Sequence, residues 1–256
     1  MFKRVLMLFL CLAFGVAHAD PDVRQILAAS DAIRNPDKPF SLTVSLLEYR
    51  RGVQVATSSM SVYSKAAPNS GQFRTLVRFL TPTRDLNKLM LKNGNDLWFY
   101  DPFSKAGVRI SSQQRLLGQA ANGDVLTVNL ASDYKVSMVK QEDIQDGDRK
   151  TRRCYLLNLV AVAPDVTYDS IDIWIEADTN RPVKARFYSE SKSLLKTAYY
   201  RVYKTELGRE RPTETIIIDG LDPAWVTIMR YSDYMLRELP DAWFQRDYLP
   251  NFNPGA

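Results

Sequence analysis

Histidine is nearly absent. The 256 residues contain one, His18, and cysteine occurs only twice, at Cys11 and Cys154. His18 and Cys11 both fall in a segment that reads as a removable leader. Lys3 and Arg4 open it, Val5 to Val16 is apolar throughout, and Ala17-His18-Ala19 places small residues at both flanks of a cleavage site. This is the pattern of a secretory signal peptide. The apolar run is shorter than the roughly 20 residues that a membrane-crossing helix needs. The expected mature chain is therefore 20–256, one domain with no histidine and one thiol. A Ser-His-Asp triad, a Cys-His dyad and histidine-ligated zinc are excluded on that reading, as is an internal disulfide. Phe9 and Leu10 precede Cys11 where a lipid-attachment site wants small residues, so a soluble secreted product is expected.

Other signatures are missing too. There is no Gly-x-Ser-x-Gly elbow, P-loop or dinucleotide fingerprint, and no repeat, low-complexity tract or linker. No catalysis, cofactor or metal is expected. The surviving enzymatic reading is a carbohydrate site in which Trp174 stacks on a sugar between Asp172 and Glu176. The net charge of +5 over 34 basic and 29 acidic residues is too small to indicate nucleic acid. One basic cluster, Arg149, Lys150, Arg152 and Arg153, follows the Asp146-Gly147 turn. It reads as a solvated hairpin shoulder, or as a patch for anionic lipid headgroups.

What is present is mostly strand. Val23, Ile26, Leu27 and Ile33 have near-helical spacing between an Asp22 cap and Asn35-Pro36, which predicts one amphipathic helix over 22–34. From Phe40 onward, alternating runs are punctuated by turns such as Arg51-Gly52, Asn93-Gly94 and Asp146-Gly147. Ser170 to Glu176 alternates most clearly, with Ile171, Ile173 and Ile175 on one face. The middle, Ser111 to Gln119 and Gly123 to Ala131, lacks alternation and reads as short helices crossing the sheet. Leu239 to Leu249 reads as a closing helix. The fold class expected is α+β, mainly antiparallel β. About ten or eleven strands form a strongly curved sheet or incomplete barrel, with the N-terminal helix and short lid helices on its concave face.

Leu97-Trp98-Phe99-Tyr100-Asp101-Pro102, a basic turn, Arg109-Ile110-Ser111-Ser112, Arg115 and then Gly123-Asp124 follow one another along the chain. Ile173-Trp174-Ile175-Glu176 and Asn180-Arg181-Pro182-Val183-Lys184 come later. In this order the residues resemble the LolA-like group of outer-membrane lipoprotein-sorting proteins over most of the mature chain. The resemblance implies a half-open β-barrel with a helical lid over a hydrophobic cavity. The task it implies is periplasmic carriage or chaperoning of lipids or lipoproteins by their acyl chains. It also implies an outer-membrane acceptor as a partner. The alternative is a lipid-sensing or accessory subunit of an inner-membrane transporter of the resistance-nodulation-division (RND) type.

Each acyl CH₂ removed from water is worth about 0.8 kcal/mol, so a carrier needs an apolar wall and a weakly held cover. Candidate wall residues are Leu97 and Phe99 or, facing the other way, Trp98 and Tyr100, together with Ile171, Ile173 and Ile175. Leu116 and Leu117 are candidates for the cover. Arg109 and Arg115 are candidates for gripping a headgroup at the rim. Cys154, inside an apolar run, reads as a buried small hydrophobe.

Overall fold

The computed structural model describes residues 22–68, 70–163 and 165–255; the leader segment lies outside them. The first element is helix α1, Val23–Arg34, where the Asp22 carboxylate accepts from the Arg24 and Gln25 amides. This satisfies orphan donors of the first turn. Strands follow: β1 Phe40–Arg50, β2 Val53–Ala66, β3 Phe73–Thr81, β4 Leu89–Asn93, β5 Asp96–Asp101 and β6 Ala106–Arg109. A crossing segment comes next, with β7 Arg115–Leu117, β8 Ala120–Ala121 and the one-turn helix α2 Leu130–Asp133. The chain returns through β9 Tyr134–Gln145, β10 Thr151–Ala161, β11 Ser170–Glu176, β12 Pro182–Tyr188, β13 Leu194–Glu206, β14 Arg209–Asp219 and β15 Trp225–Leu236.

Among the described residues, thirteen of these strands form one antiparallel sheet in the order β6-β5-β4-β3-β2-β1-β15-β14-β13-β12-β11-β10-β9. The chain builds outward from β1 to the edge β6, crosses the inner face, and returns from the opposite edge β9 until β15 pairs with β1. The sheet is curved and unclosed, because β6 and β9 do not pair. The observed count exceeds the expected ten or eleven. One reason is β6, whose four residues are all exposed and carry no periodicity to read.

The expected lid helices are corrected as well. Ser111 to Gln119 is a turn followed by the hairpin β7–β8, with Arg115 opposite Ala121 and Leu117 opposite Ala120. Gly118 makes the reversal at φ +56°, and a Cβ there would sit 2.2 Å from the Thr227 hydroxyl. A helix cannot continue through that position. Gly123 to Ala131 holds a 3₁₀ turn over 122–125 and the single turn α2. The expected closing helix is two 3₁₀ turns, Asp241–Phe244 and Arg246–Asn251.

The two faces of the sheet pack differently. On the inner face, Leu157, Leu159, Ile171, Ile173 and Ile175 meet Ile26 and Leu27 of α1 in one cluster. Val44, Leu46, Met60, Val77 and Leu97 meet Val125 and Leu126 of the crossing segment in another. On the outer face, the C-terminal tail lays Leu239, Trp243, Phe244 and Leu249 over Tyr63, Leu76, Leu91 and Tyr100. Arg211 pins α1 to the sheet: it is 2% exposed and donates to the carbonyls of Ala32 at 3.2 Å and Ile33 at 2.9 Å. A cation at a helix C-terminus also complements its dipole.

Candidate functional site

A chamber of about 330 Å³ lies between the inner face, α1 and the crossing segment. Its apolar lining comes from the crossing segment, through Leu126, Val128 and Leu130, and from the sheet, through Ile171, Phe187, Ile217 and Met229, while α1 contributes Arg34. Its mouth leads to a groove of about 1100 Å³, and Lys92, Asn95, Ser112, Asp165, Val166 and Tyr168 line both. A side pocket of about 90 Å³ adjoins the other end, sharing Arg34, Leu126, Tyr200, Thr215 and Tyr231 with the chamber. The chamber alone is near the lower bound of small-molecule sites, roughly 300–1,000 Å³; with its groove it is an elongated tunnel.

The crossing segment covers this chamber and is joined to the sheet by a buried polar latch. Lys196 of β13 reaches across to pair with Asp124 and donates to the Gln119 carbonyl at 3.1 Å. Asp124 also accepts from the Tyr168 hydroxyl at 2.7 Å and from the Ala121 amide at 2.7 Å. The Lys196 ammonium lies over the Tyr168 ring, 4.8 Å from its centroid. Burial pushes the Lys196 ammonium below the ordinary lysine range, while Asp124 pulls it back up. Burial, followed by the adjacent Asp124 charge, raises Tyr168 well above the ordinary phenol range, so it stays a donor. Next to the latch, the Gln119 amide donates to the Thr227 hydroxyl at 2.8 Å.

A second buried pair sits at the α1 end. Arg34 pairs with Asp31, and Asp31 accepts from the Ala131 amide at 2.8 Å, tying α1 to α2. Burial raises the Asp31 carboxyl above its ordinary range, against the pull of Arg34 and the Ala131 and Leu130 amides. Arg34 and Lys196, two of the cations that line the chamber, thus each face a carboxylate.

Sequence-derived candidates distribute unevenly around this space. Ile171 lines the chamber, and Leu97 and Arg109 line the groove. Phe99 faces inward and meets Phe79 edge-on at 6.1 Å. Leu116 and Leu117 rest against the inner cluster from the hairpin. Ile173 and Ile175 are sealed under α1. Trp98 and Tyr100 face the other way: they pack on the outer face under the C-terminal tail, with Arg246 stacked 4.0 Å from the Trp98 ring. Arg109 spans the gap between the sheet's two ends, 3.0 Å from Asp96 and 3.6 Å from Asp165. Arg115 stacks on Trp225 at 4.4 Å, away from the chamber.

The remaining residues singled out in the sequence hold structural posts. Asp172 is bound by Asn158 and Tyr188, Glu176 by Arg152, and Trp174 is buried with its indole donating to Glu142 at 3.0 Å; none of the three lines the tunnel. In the basic cluster, Arg152 is neutralised by Asp146 and Glu176. Cys154 is fully buried, and burial pushes its thiol up to about 12. Sequence reasoning missed Lys196 and Tyr200, since a lone charged or phenolic residue in an alternating strand reads as solvated, and Arg34, which reads as the basic last turn of an exposed helix end. Among the described residues, no group of three metal-ligating side chains occurs and no helix is long and apolar enough to cross a membrane.

A family model described as "Uncharacterized protein" matches residues 71–251. No curated protein sequence matches. Among solved structures, the chain is similar to a LolA superfamily protein from Nitrosomonas europaea, at 34% identity over 88% of this chain and 98% of that one, with TM-score 0.78. A DUF1329 family protein from Desulfovibrio piger shares 20% identity over 88% and 97% of the two chains, TM-score 0.73. A putative outer membrane lipoprotein-sorting protein domain from Vibrio parahaemolyticus shares 19% identity over 89% and 97%, TM-score 0.73. At these two identities the likeness is one of fold.

Proposed function

This chain belongs to the LolA superfamily, and from that premise we propose that it is a periplasmic carrier that shelters the acyl chains of a lipid or lipoprotein. The observation that carries the reading is the covered chamber, with an apolar wall that continues into a groove open at the rim. A folded domain packed at ordinary interior density has no such volume under its own lid. An acyl chain entering it leaves water along its whole length, at about 0.8 kcal/mol per CH₂. The cover over the chamber is small, a 3₁₀ turn over 122–125 and the one-turn helix α2 with the residues between them, so it can shift without unfolding the sheet. The leader-like sequence at 1–19 supports a task outside the cytoplasm. No observation favours the accessory-transporter alternative, and the carrier reading needs no catalysis.

The test is native mass spectrometry of the protein purified without detergent from the periplasm of its own cells, followed by lipid extraction. The expected result is an adduct in the mass range of an acylated lipid that is released on denaturation. Protein that carries no adduct, and that takes up none from lipid micelles, would overturn the proposal.

A further inference from the structure

One end of the strands carries an unusual set of turns. In an antiparallel sheet of this order, the turns β5–β6, β3–β4, β1–β2, β14–β15, β12–β13 and β10–β11 all lie at the same end. The last two, through residues such as Tyr188, Glu190 and Val166, form a wall of the groove. The others carry apolar residues held out in water. Phe103 at the β5–β6 tip is 98% exposed and Leu221 at the β14–β15 tip is 93% exposed, and Val53 and Leu86 are also exposed at the intervening tips. Single exposed hydrophobes are ordinary on protein surfaces. Two nearly bare ones at turn apices of one rim, where polar residues normally sit, are not.

Cations accompany them. Lys105 shares the β5–β6 tip with Phe103, and Arg51 sits at the β1–β2 tip beside Val53; both are exposed and neither has an ion-pair partner among the described residues. Arg115 lies on one side of the Trp225 ring, and Arg50 approaches the same ring to 3.1 Å. The tips are coupled. The Arg51 amide donates to the Ala224 carbonyl at 2.9 Å, and Lys88 stands 3.9 Å from Asp101. The acids of the β14–β15 turn, Asp219 and Asp222, are occupied by backbone amides of that turn.

We propose that this rim docks on an anionic phospholipid surface, with Phe103 and Leu221 entering the headgroup region and Arg51, Lys105 and Arg115 facing lipid phosphates. Apolar points flanked by basic residues, with a tryptophan at the boundary, are the pattern that binds membrane interfaces. The opposite rim, with its Arg149–Arg153 cluster, is the weaker candidate because Arg152 is already neutralised there.

The test is co-sedimentation of the full mature chain with vesicles of phosphatidylethanolamine and phosphatidylglycerol at 3:1, and with vesicles of phosphatidylcholine alone. The expected result is binding to the anionic vesicles that falls at least fivefold in 0.5 M salt or on phosphatidylcholine. Phe103→Asp and Leu221→Asp, both at exposed turns where folding is insensitive, should each weaken it at least fivefold, and Arg51→Glu should do the same. Binding of the apolar dye diphenylhexatriene in the tunnel should stay unchanged in all three, which separates docking from the carrier reading. Vesicle binding that is absent in the parent protein, or unaffected by both Asp substitutions, would overturn the proposal. So would concentration-dependent dimerisation abolished by Phe103→Asp, which would assign the tips to a second copy of the chain.

Discussion

Replacing Lys196 by Met tests whether the latch is a buried electrostatic joint. The side chain is 4% exposed and its Asp124 partner 12%, so neither charge is well hydrated. Met matches the length of the aliphatic stem, so volume is largely kept, while the ammonium's contacts over the Tyr168 and Phe187 rings go with the charge. What is lost is the cation, its pair with Asp124 and its bond to the Gln119 carbonyl. Asp124 then keeps only the Tyr168 hydroxyl and the Ala121 amide. Removing one member of a buried pair typically costs about 3–5 kcal/mol, a large share of the roughly 5–15 kcal/mol that holds a domain together. Urea unfolding followed by tryptophan fluorescence should show a midpoint lowered by more than about 1 M, taking a slope near 3 kcal/mol/M. The double variant Lys196→Met with Asp124→Asn leaves no orphaned charge and should recover much of the loss, the cycle giving the coupling directly. A loss below about 1 kcal/mol in the single variant would refute the reasoning, because it would mean that Asp124 is freely rehydrated.

Three further expectations follow from the packing and the charges. Gly118→Ala forces a side chain into φ +56° and against Thr227, and should lower stability by about 1–3 kcal/mol, read as a drop in Tm. Leu27→Ala, at a fully buried position between α1 and the inner face, should cost about 2–5 kcal/mol in the same thermal scan. Asp241 is held below its ordinary value of 3.8 by hydrogen bonds from Lys65 and then Arg74. Its contribution is therefore present above 3.8 and lost as pH falls through the lower folded value, so Asp241→Asn should lower stability at neutral pH, converge with the parent in acid, and thereby flatten the acid limb of a stability–pH curve below about pH 4.

Legibility of the sequence followed the period of its pattern. α1 was readable because its cap, its apolar spacing and its Asn35-Pro36 stop all agree, and β11 because Ile171, Ile173 and Ile175 alternate with polar neighbours. The Leu97/Phe99 and Trp98/Tyr100 pairs were both readable as faces, but which face was inner depended on two distant segments, the crossing hairpin and the C-terminal tail. β6 escaped because a short, exposed edge strand has no buried face to betray it. The β7–β8 hairpin escaped because Leu116 and Leu117 are adjacent and the reversal rests on one glycine. The latch was hidden for a different reason. Lys196, Asp124 and Tyr168 are far apart in the chain, and only the topology that carries the crossing segment over β13 brings them together.

The account rests on the covered chamber accepting an apolar guest. Titration of the mature protein with diphenylhexatriene, read by its fluorescence gain in an apolar site, tests this most directly when paired with Ala198→Leu. Ala198 is 2% exposed and lines the chamber, so the larger side chain takes up chamber volume. The account predicts saturable, one-to-one binding in the parent and a loss of at least tenfold in the variant, with both proteins folded by circular dichroism. No fluorescence gain in the parent, or equal binding in the two, would contradict it.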